Sequence, residues 1–226
     1  MRPRHVLFAL MLAVSTPTLA DGNDERARDA TEVLVEIMDI PDNSIPIRML
    51  QDAEAIAVIP DVIKAGFVVG GKHGKGLISV RGADGAWSNP SFITLNGGSF
   101  GFQAGVQSAD VILVFRSKRG VDSIVNGKFT IGADASAAAG PVGRNAQAST
   151  DAQLKAEILS YSRARGLFAG VSIDGAALQI DKKANREVYG RNVTPRAIFE
   201  GRSVRPSDDV TEFRDQLEEA TAAAAK

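Results

Sequence analysis

The sequence predicts an α+β fold: a twisted, glycine-rich antiparallel sheet, barrel-like, covered by N-terminal, central and C-terminal helices. Three observations predict it. Apolar residues recur at helical spacing between Asp24 and Ile40. Between Ala57 and Ile131 that pattern gives way to short runs of Val, Ile and Phe divided by turn residues. Helical spacing then returns after Thr150 and after Pro206. Helices and strands are therefore segregated along the chain rather than alternating.

The elements follow in order. Met1–Ala20 carries Arg2 and Arg4, the apolar run Val6–Val14 and small residues at Thr18 and Ala20, which reads as a secretory signal peptide, residues 1–20. The run is too short to span a bilayer, and no later segment approaches the roughly 18–20 apolar residues a span needs. The expectation is an exported, soluble mature chain. Residues 21–205 read as a single domain and 206–226 as a C-terminal helix with a fraying Ala-rich tail. Ala27, Ala30, Leu34, Ile37 and Met38 line one face of an amphipathic helix that the Pro41–Ser44 cluster stops, and a second helix is expected from Pro46 to Ala57.

Ile56–Ile59, Gly66–Val69, Leu77–Arg81, Ser91–Leu95, Phe100–Val106, Val111–Phe115 and Phe129–Ile131 read as short strands of a meander, with hairpin turns at Asp84-Gly85 and Asn126-Gly127. Glycines inside these strands suggest bulges or close backbone approach. Ala133–Ala148 is too poor in large side chains for a core of its own and is expected to wrap the sheet. Thr150 and Gln153 form a capping box for a helix with Leu154, Ile158 and Tyr161 on its stripe and Arg163, Arg165 and Gly166 at its end. Leu167–Ile173 and Ala176–Ile180 flank Asp174-Gly175 as a closing hairpin. Val210, Phe213 and Leu217 mark the last helix, opened by Asp209 and Glu212.

Composition narrows the chemistry. The 226 residues are 44% hydrophobic and 23% charged, enough to build a core, and include no Cys. That excludes disulfides, thiolate nucleophiles, Cys-ligated zinc and iron–sulfur clusters. Charge is uneven: Asp21–Ile59 sums to −7, Pro60–Arg205 to +8 and Pro206–Lys226 to −4. Either the acidic ends neutralise the basic middle, or the middle presents a basic surface to an anionic ligand.

Two catalytic motifs nearly match. Gly97-Gly98-Ser99-Phe100-Gly101 satisfies G-x-S-x-G, but the motif needs a strand before it and a helix after it, and Ser99 lies between two strand-like runs. Gly66–Lys72 has phosphate-loop spacing, but His73 stands where a hydroxyl must reach magnesium. His73 is the one histidine beyond the leader, so a His-rich metal site is excluded. No catalytic residue, metal or cofactor is assigned. What remains is a basic constellation in which Lys72 and Lys75 share a glycine-rich loop. Sparse aromatics, 6% of the chain, argue against nucleic acid. A phosphate-headed lipid is the better anion, with Phe67, Phe92, Phe100, Phe102 and Phe168 available to line an apolar groove beside it.

Ile59-Pro60, Lys64-Ala65-Gly66-Phe67, Gly74-Lys75-Gly76, Trp87–Ser91, Gly105–Asp110, Gly140–Arg144 and Ser162–Ser172 stand in the order of motifs in the SYLF domain family, which the chain resembles from about Asp24 to Arg191. The resemblance implies lipid binding without catalysis: eukaryotic members bind phosphoinositide membranes, and bacterial members are exported proteins described as lipid-binding. Lys64, Arg144, Arg163 and Arg165 fall on basic positions of the matching motifs; with Lys72 and Lys75 they are the candidate headgroup contacts. The expected partner is anionic phospholipid or a membrane surface in the periplasm. The alternative is an envelope protein that docks on a structural module. Some fungal members engage actin, a property not expected in a periplasm. One departure stands out: the terminal helix that is basic in animal members here holds six acidic residues between Asp24 and Asp39 against Arg26 and Arg28.

Overall fold

The structure is a computed structural model that describes residues 19–39, 45–126, 128–142, 155–164 and 167–222; the side chains at 19–21, 66–69, 99–105 and 128 lie outside the description. The elements in chain order are α1 (Leu19–Met38), α2 (Ile47–Gln51), β1 (Ala55–Val80), β2 (Ser91–Phe115), α3 (Lys118–Val125), β3 (Lys128–Thr130), β4 (Ala137–Ala139), β5 (Ile158–Ala164), β6 (Leu167–Gly170), β7 (Ala177–Ile180), α4 (Lys182–Tyr189), α5 (Pro195–Phe199) and α6 (Asp208–Ala222). The fold is α+β as the sequence predicts. All seven strands join one curled sheet in the order β3-β7-β2-β5-β4, with β1 on β2 and β6 on β5.

The meander is in fact one ribbon. The six short runs from Ile56 to Phe115 merge into β1 and β2, strands of 26 and 25 residues paired antiparallel nearly end to end. Turn residues inside the runs do not break them, because bulges absorb the irregularity. The register shifts between Ile59 and Val62 and again between Gly66 and Val68. At the first shift Asp61 adopts φ 47°, a left-handed conformation that Asp tolerates better than most residues. The Asp84-Gly85 turn is where the sequence puts it: Gly85 has φ 87°, and Arg81 caps the turn with its guanidinium 4.5 Å from the Trp87 ring centroid.

The ribbon doubles back on itself. A Cβ on Gly76 would lie 2.1 Å from the Val58 carbonyl oxygen and 2.7 Å from the Ile59 Cα, and one on Gly74 would lie 2.7 Å from Ile59 Cγ2. Two stretches of the same strand therefore touch backbone to backbone, an approach only glycine permits. Val111–Phe115 at one end of β2 pairs with β5, and Ile93–Asn96 at the other pairs with β7. Val62–Lys72 and Gly97–Ala109, between them, pair only with each other among the described residues, forming an arm that leaves the sheet and returns.

Because side chains alternate along a strand, the body of the sheet buries both faces. Ile56, Val58, Leu77, Phe92, Ile112, Val114 and Tyr161 pack beneath α1, α2, α4, α5 and α6. Ala57, Ile59, Ile93, Leu95, Leu113, Phe115 and Leu178 form the core on the other face with Val121 and Ile124 of α3. The N-terminal helix lies against α6 and β1, as its apolar face predicts, with Ala27, Ala30 and Ile37 fully buried.

Several expectations are corrected. The second helix ends at Gln51, and Ala55 already starts β1: Ala55–Ile59 is a run buried on both faces, and its β-branched residues suit a central strand. Asn126 closes α3 rather than turning a hairpin, since Val121 and Ile124 at helical spacing bury one face of that helix. Ile158–Ala164 is strand β5, not a helix ending at Gly166. Ile158, Leu159 and Tyr161 fit either period, and six residue pairs with β2 decide it. Thr150 to Leu154 and Gly166 lie outside the described residues. Leu167–Gly170 and Ala177–Ile180 do flank a turn at Asp174-Gly175, but they pair with β5 and with β2 and β3, not with each other. Helices α4 and α5 have no counterpart in the sequence reading.

Candidate functional site

The curl of the ribbon decides which lysines meet. Lys64 sits opposite Gln107 on the outgoing side of the arm and Lys72 opposite Gly97 on the returning side. The doubling brings them within electrostatic reach of one another. Burial pushes the half-buried Lys72 ammonium below the usual lysine range, and the neighbouring Lys64 charge pushes it further; Asp174 opposes both. Neither lysine makes an ion pair among the described residues. An anion placed between them would relieve the repulsion.

The same arm exposes apolar side chains. Ile63 faces Ser108 and Ala65 faces Val106, so Ile63 and Val106 share one face while Lys64 stands on the other. Ile63 is 48% exposed and Val106 74%, large values for β-branched residues on a sheet otherwise buried on both sides. An arm that exposes apolar groups on one face and carries a cation on the other suits a boundary between headgroups and acyl chains.

The other candidate residues are placed differently. Lys75 is exposed and lines a shallow cleft of about 450 Å³ with Arg26, Glu25, Asp29, Asp61 and His73. Charges of both signs meet there. Asp29 is held above the usual carboxylate range by burial and then by Glu25, Asp61 and Glu32. Arg163 is already engaged: it pairs with Asp110 at 2.8 Å and with Glu36 of α1, tying the helix to the sheet. Glu36 with Arg163 pairs an acid of the N-terminal helix with a base of the middle, and Arg26 with Asp181 at 3.1 Å pairs them in the opposite sense. Arg144 and Arg165 lie outside the described residues. Of the proposed groove phenylalanines, Phe92 is fully buried and Phe168 is 6% exposed and stacked on Tyr161 at 5.4 Å. Both are core beneath the helices and line no open groove. The side chains of Phe67, Phe100, Phe102 and Ser99 fall outside the description.

A second concentration of cations went unseen in the sequence. Lys182 and Arg186 of α4, with Arg191 and Arg196 around α5, line a cleft of about 740 Å³ against α3 and β7. A signal was available: Asp181 caps α4 by accepting from the Ala184 amide, and Lys182 and Arg186 stand four apart on one helical face.

A family model described as "Ysc84: Las17-binding protein actin regulator" matches residues 96–220. The chain is 34% identical over 201 residues to human SH3 domain-containing YSC84-like protein 1, covering 85% of this chain and 58% of that one. It is 40% identical over 172 residues to Protein YSC84 of Saccharomyces cerevisiae, covering 74% of this chain and 36% of that one. LAS seventeen-binding protein 3 of the same yeast is 39% identical over 168 residues, covering 73% and 36%. The chain thus spans about a third to three fifths of the length of these curated relatives.

Proposed function

The chain belongs to the Ysc84/SYLF family, and on that premise we propose that it is a non-catalytic lipid-binding protein that attaches to anionic phospholipid surfaces through the arm of its β1–β2 ribbon. The observation that carries this reading is the arm itself, which exposes Ile63 and Val106 on one face and carries Lys64 on the other, with Lys64 and Lys72 free of ion pairs among the described residues. The lysines attract phosphate through a field that salt screens, and the apolar pair gains by leaving water at the acyl boundary. Lys75 stands at the base of the arm as a further cation. Arg144 and Arg165, on basic positions of the family motifs, belong to the same proposal. Arg163 contributes by holding α1 on the sheet. We place the protein in the periplasm of a bacterium after removal of residues 1–20, on the leader-like sequence of Arg2, Arg4 and Val6–Val14. In that compartment neither actin nor nucleic acid is a partner.

Vesicle sedimentation tests the proposal. Vesicles of phosphatidylcholine with phosphatidylglycerol retain the protein at low salt and release it at high salt, and Lys64→Glu with Lys72→Glu abolishes retention. Equal sedimentation with and without the anionic lipid would refute it.

A second reading, a protein-docking module of the cell envelope, is favoured by one feature. The Val62–Lys72 stretch of β1 pairs with no strand but β2 among the described residues, and a partner's strand could add to that edge. The relatives' names, which include Las17 binding, point the same way. Cross-linking in intact cells that recovers a protein at the arm and no lipid would favour this reading.

A further inference from the structure

We propose that the cleft between α3, β7, α4 and α5 is a binding site for a phosphate-headed amphiphile, distinct from the arm and independent of it. The cleft is bounded by Lys182, Arg186, Arg191 and Arg196, and no carboxylate lines it among the described residues. Asp122 of α3 is exposed outside the lining, and the carboxylates flanking α4 and α5 are committed elsewhere. Asp181 is taken by Arg26 and the Ala184 amide, Glu187 by Asn23 and Lys183, and Glu200 by Arg202. None of the four cations makes an ion pair among the described residues. Four like charges gathered around one cavity repel each other, and that cost is recovered when an anion enters.

The kind of anion follows from the donors. Three guanidiniums and an ammonium offer far more N–H groups than one carboxylate can accept. A phosphate, with several charged oxygens, matches planar forks arriving from more than one side. The rest of the lining says what the phosphate carries. Ile180 and Val193 bring apolar surface to the same cleft, whose volume of about 740 Å³ exceeds the space a lone phosphate fills and falls within the range of pockets for small organic ligands. The framework is firm: Asn185, 3% exposed, anchors α4 to β2 by accepting from the Phe92 amide and donating to the Phe92 carbonyl and to Ser91 Oγ.

The test is calorimetric titration of the full chain with dihexanoyl phosphatidate below its micelle concentration and with inorganic phosphate. The phosphatidate binds at least about tenfold more tightly than phosphate, and Arg186→Gln with Arg191→Gln weakens it at least about tenfold with the melting temperature unchanged. Vesicle sedimentation of the arginine variant identifies the source. Loss of short-chain binding alone marks a single free molecule as the occupant, and loss of vesicle binding as well marks a bilayer headgroup; either supports the site. No binding of phosphatidate, equal binding by the arginine variant, or equal affinity for inorganic phosphate would overturn it.

Discussion

Replacing Gly76 by Ala probes the feature on which the arm depends. The added Cβ would stand 2.1 Å from the Val58 carbonyl oxygen and 2.7 Å from the Ile59 Cα. Ordinary carbon–oxygen contacts lie near about 3.3–3.6 Å, so the two stretches of β1 must separate by roughly 1 Å. Both obstructing atoms belong to the backbone, and no rotamer change relieves them. Overpacking of this kind costs about 1–3 kcal/mol, and a backbone obstruction belongs at the upper end. At about 2–4 °C per kcal/mol for a chain of this size, Gly76→Ala lowers the melting temperature by roughly 6–12 °C in thermal unfolding followed by circular dichroism. Gly98→Ala is the control. No atom lies within 4 Å of its Cβ, and the change stays within about 1 kcal/mol in either direction. Gly76→Ala also weakens vesicle binding, because parting the strands parts Lys64 from Lys72. A variant that melts with the parent would refute the doubled ribbon.

The remaining predictions concern charge. Arg163→Met strands Asp110, whose side chain is 13% exposed, and Glu36, and costs about 1–3 kcal/mol in urea unfolding, while vesicle binding measured on the folded protein is retained. Lys72 is held below the usual lysine range, so the unfolded chain binds more protons between its folded and unfolded pKa values, and stability rises with pH through that window. Lys72→Met removes the penalty that the charge imposes below the folded pKa; it raises the melting temperature at neutral pH and abolishes the pH gain, while weakening vesicle binding. A melting temperature that is unchanged or lower at neutral pH would contradict the burial of that charge.

How far the sequence reaches is clear from particular elements. Helices α1 and α6 are legible because one face of each is apolar at helical spacing and the other charged. The Asp84-Gly85 turn is legible because positive φ leaves few residues to choose from. The single ribbon is not, since glycine and Pro60-Asp61 inside a long strand look like turns until bulges and a strand crossing its own path are known. β5 is misread because Ile158, Leu159 and Tyr161 satisfy both periods, and only pairing with β2, far off in sequence, separates them. Of the candidate site, Lys64 and Lys72 could be picked out as basic residues, but their juxtaposition is a property of the curl. The engagement of Arg163 by Glu36 and Asp110 joins three distant segments and leaves no local trace. The cleft cations are hard to read from sequence because α4 is short and strongly polar and α5 is only five residues long, so both resemble loop.

The absence of cysteine allows a direct measurement of which face meets the bilayer. A nitroxide on Val106→Cys, at the exposed face of the arm, and one on Glu212→Cys, on an exposed face of α6, report immersion through collision with oxygen or with a water-soluble nickel chelate. With vesicles containing phosphatidylglycerol, the label at position 106 becomes shielded from the chelate and accessible to oxygen, the label at 212 stays in water, and high salt reverses the change. Shielding at 212 with the arm still in water, or no shielding at either position, would contradict attachment through the ribbon.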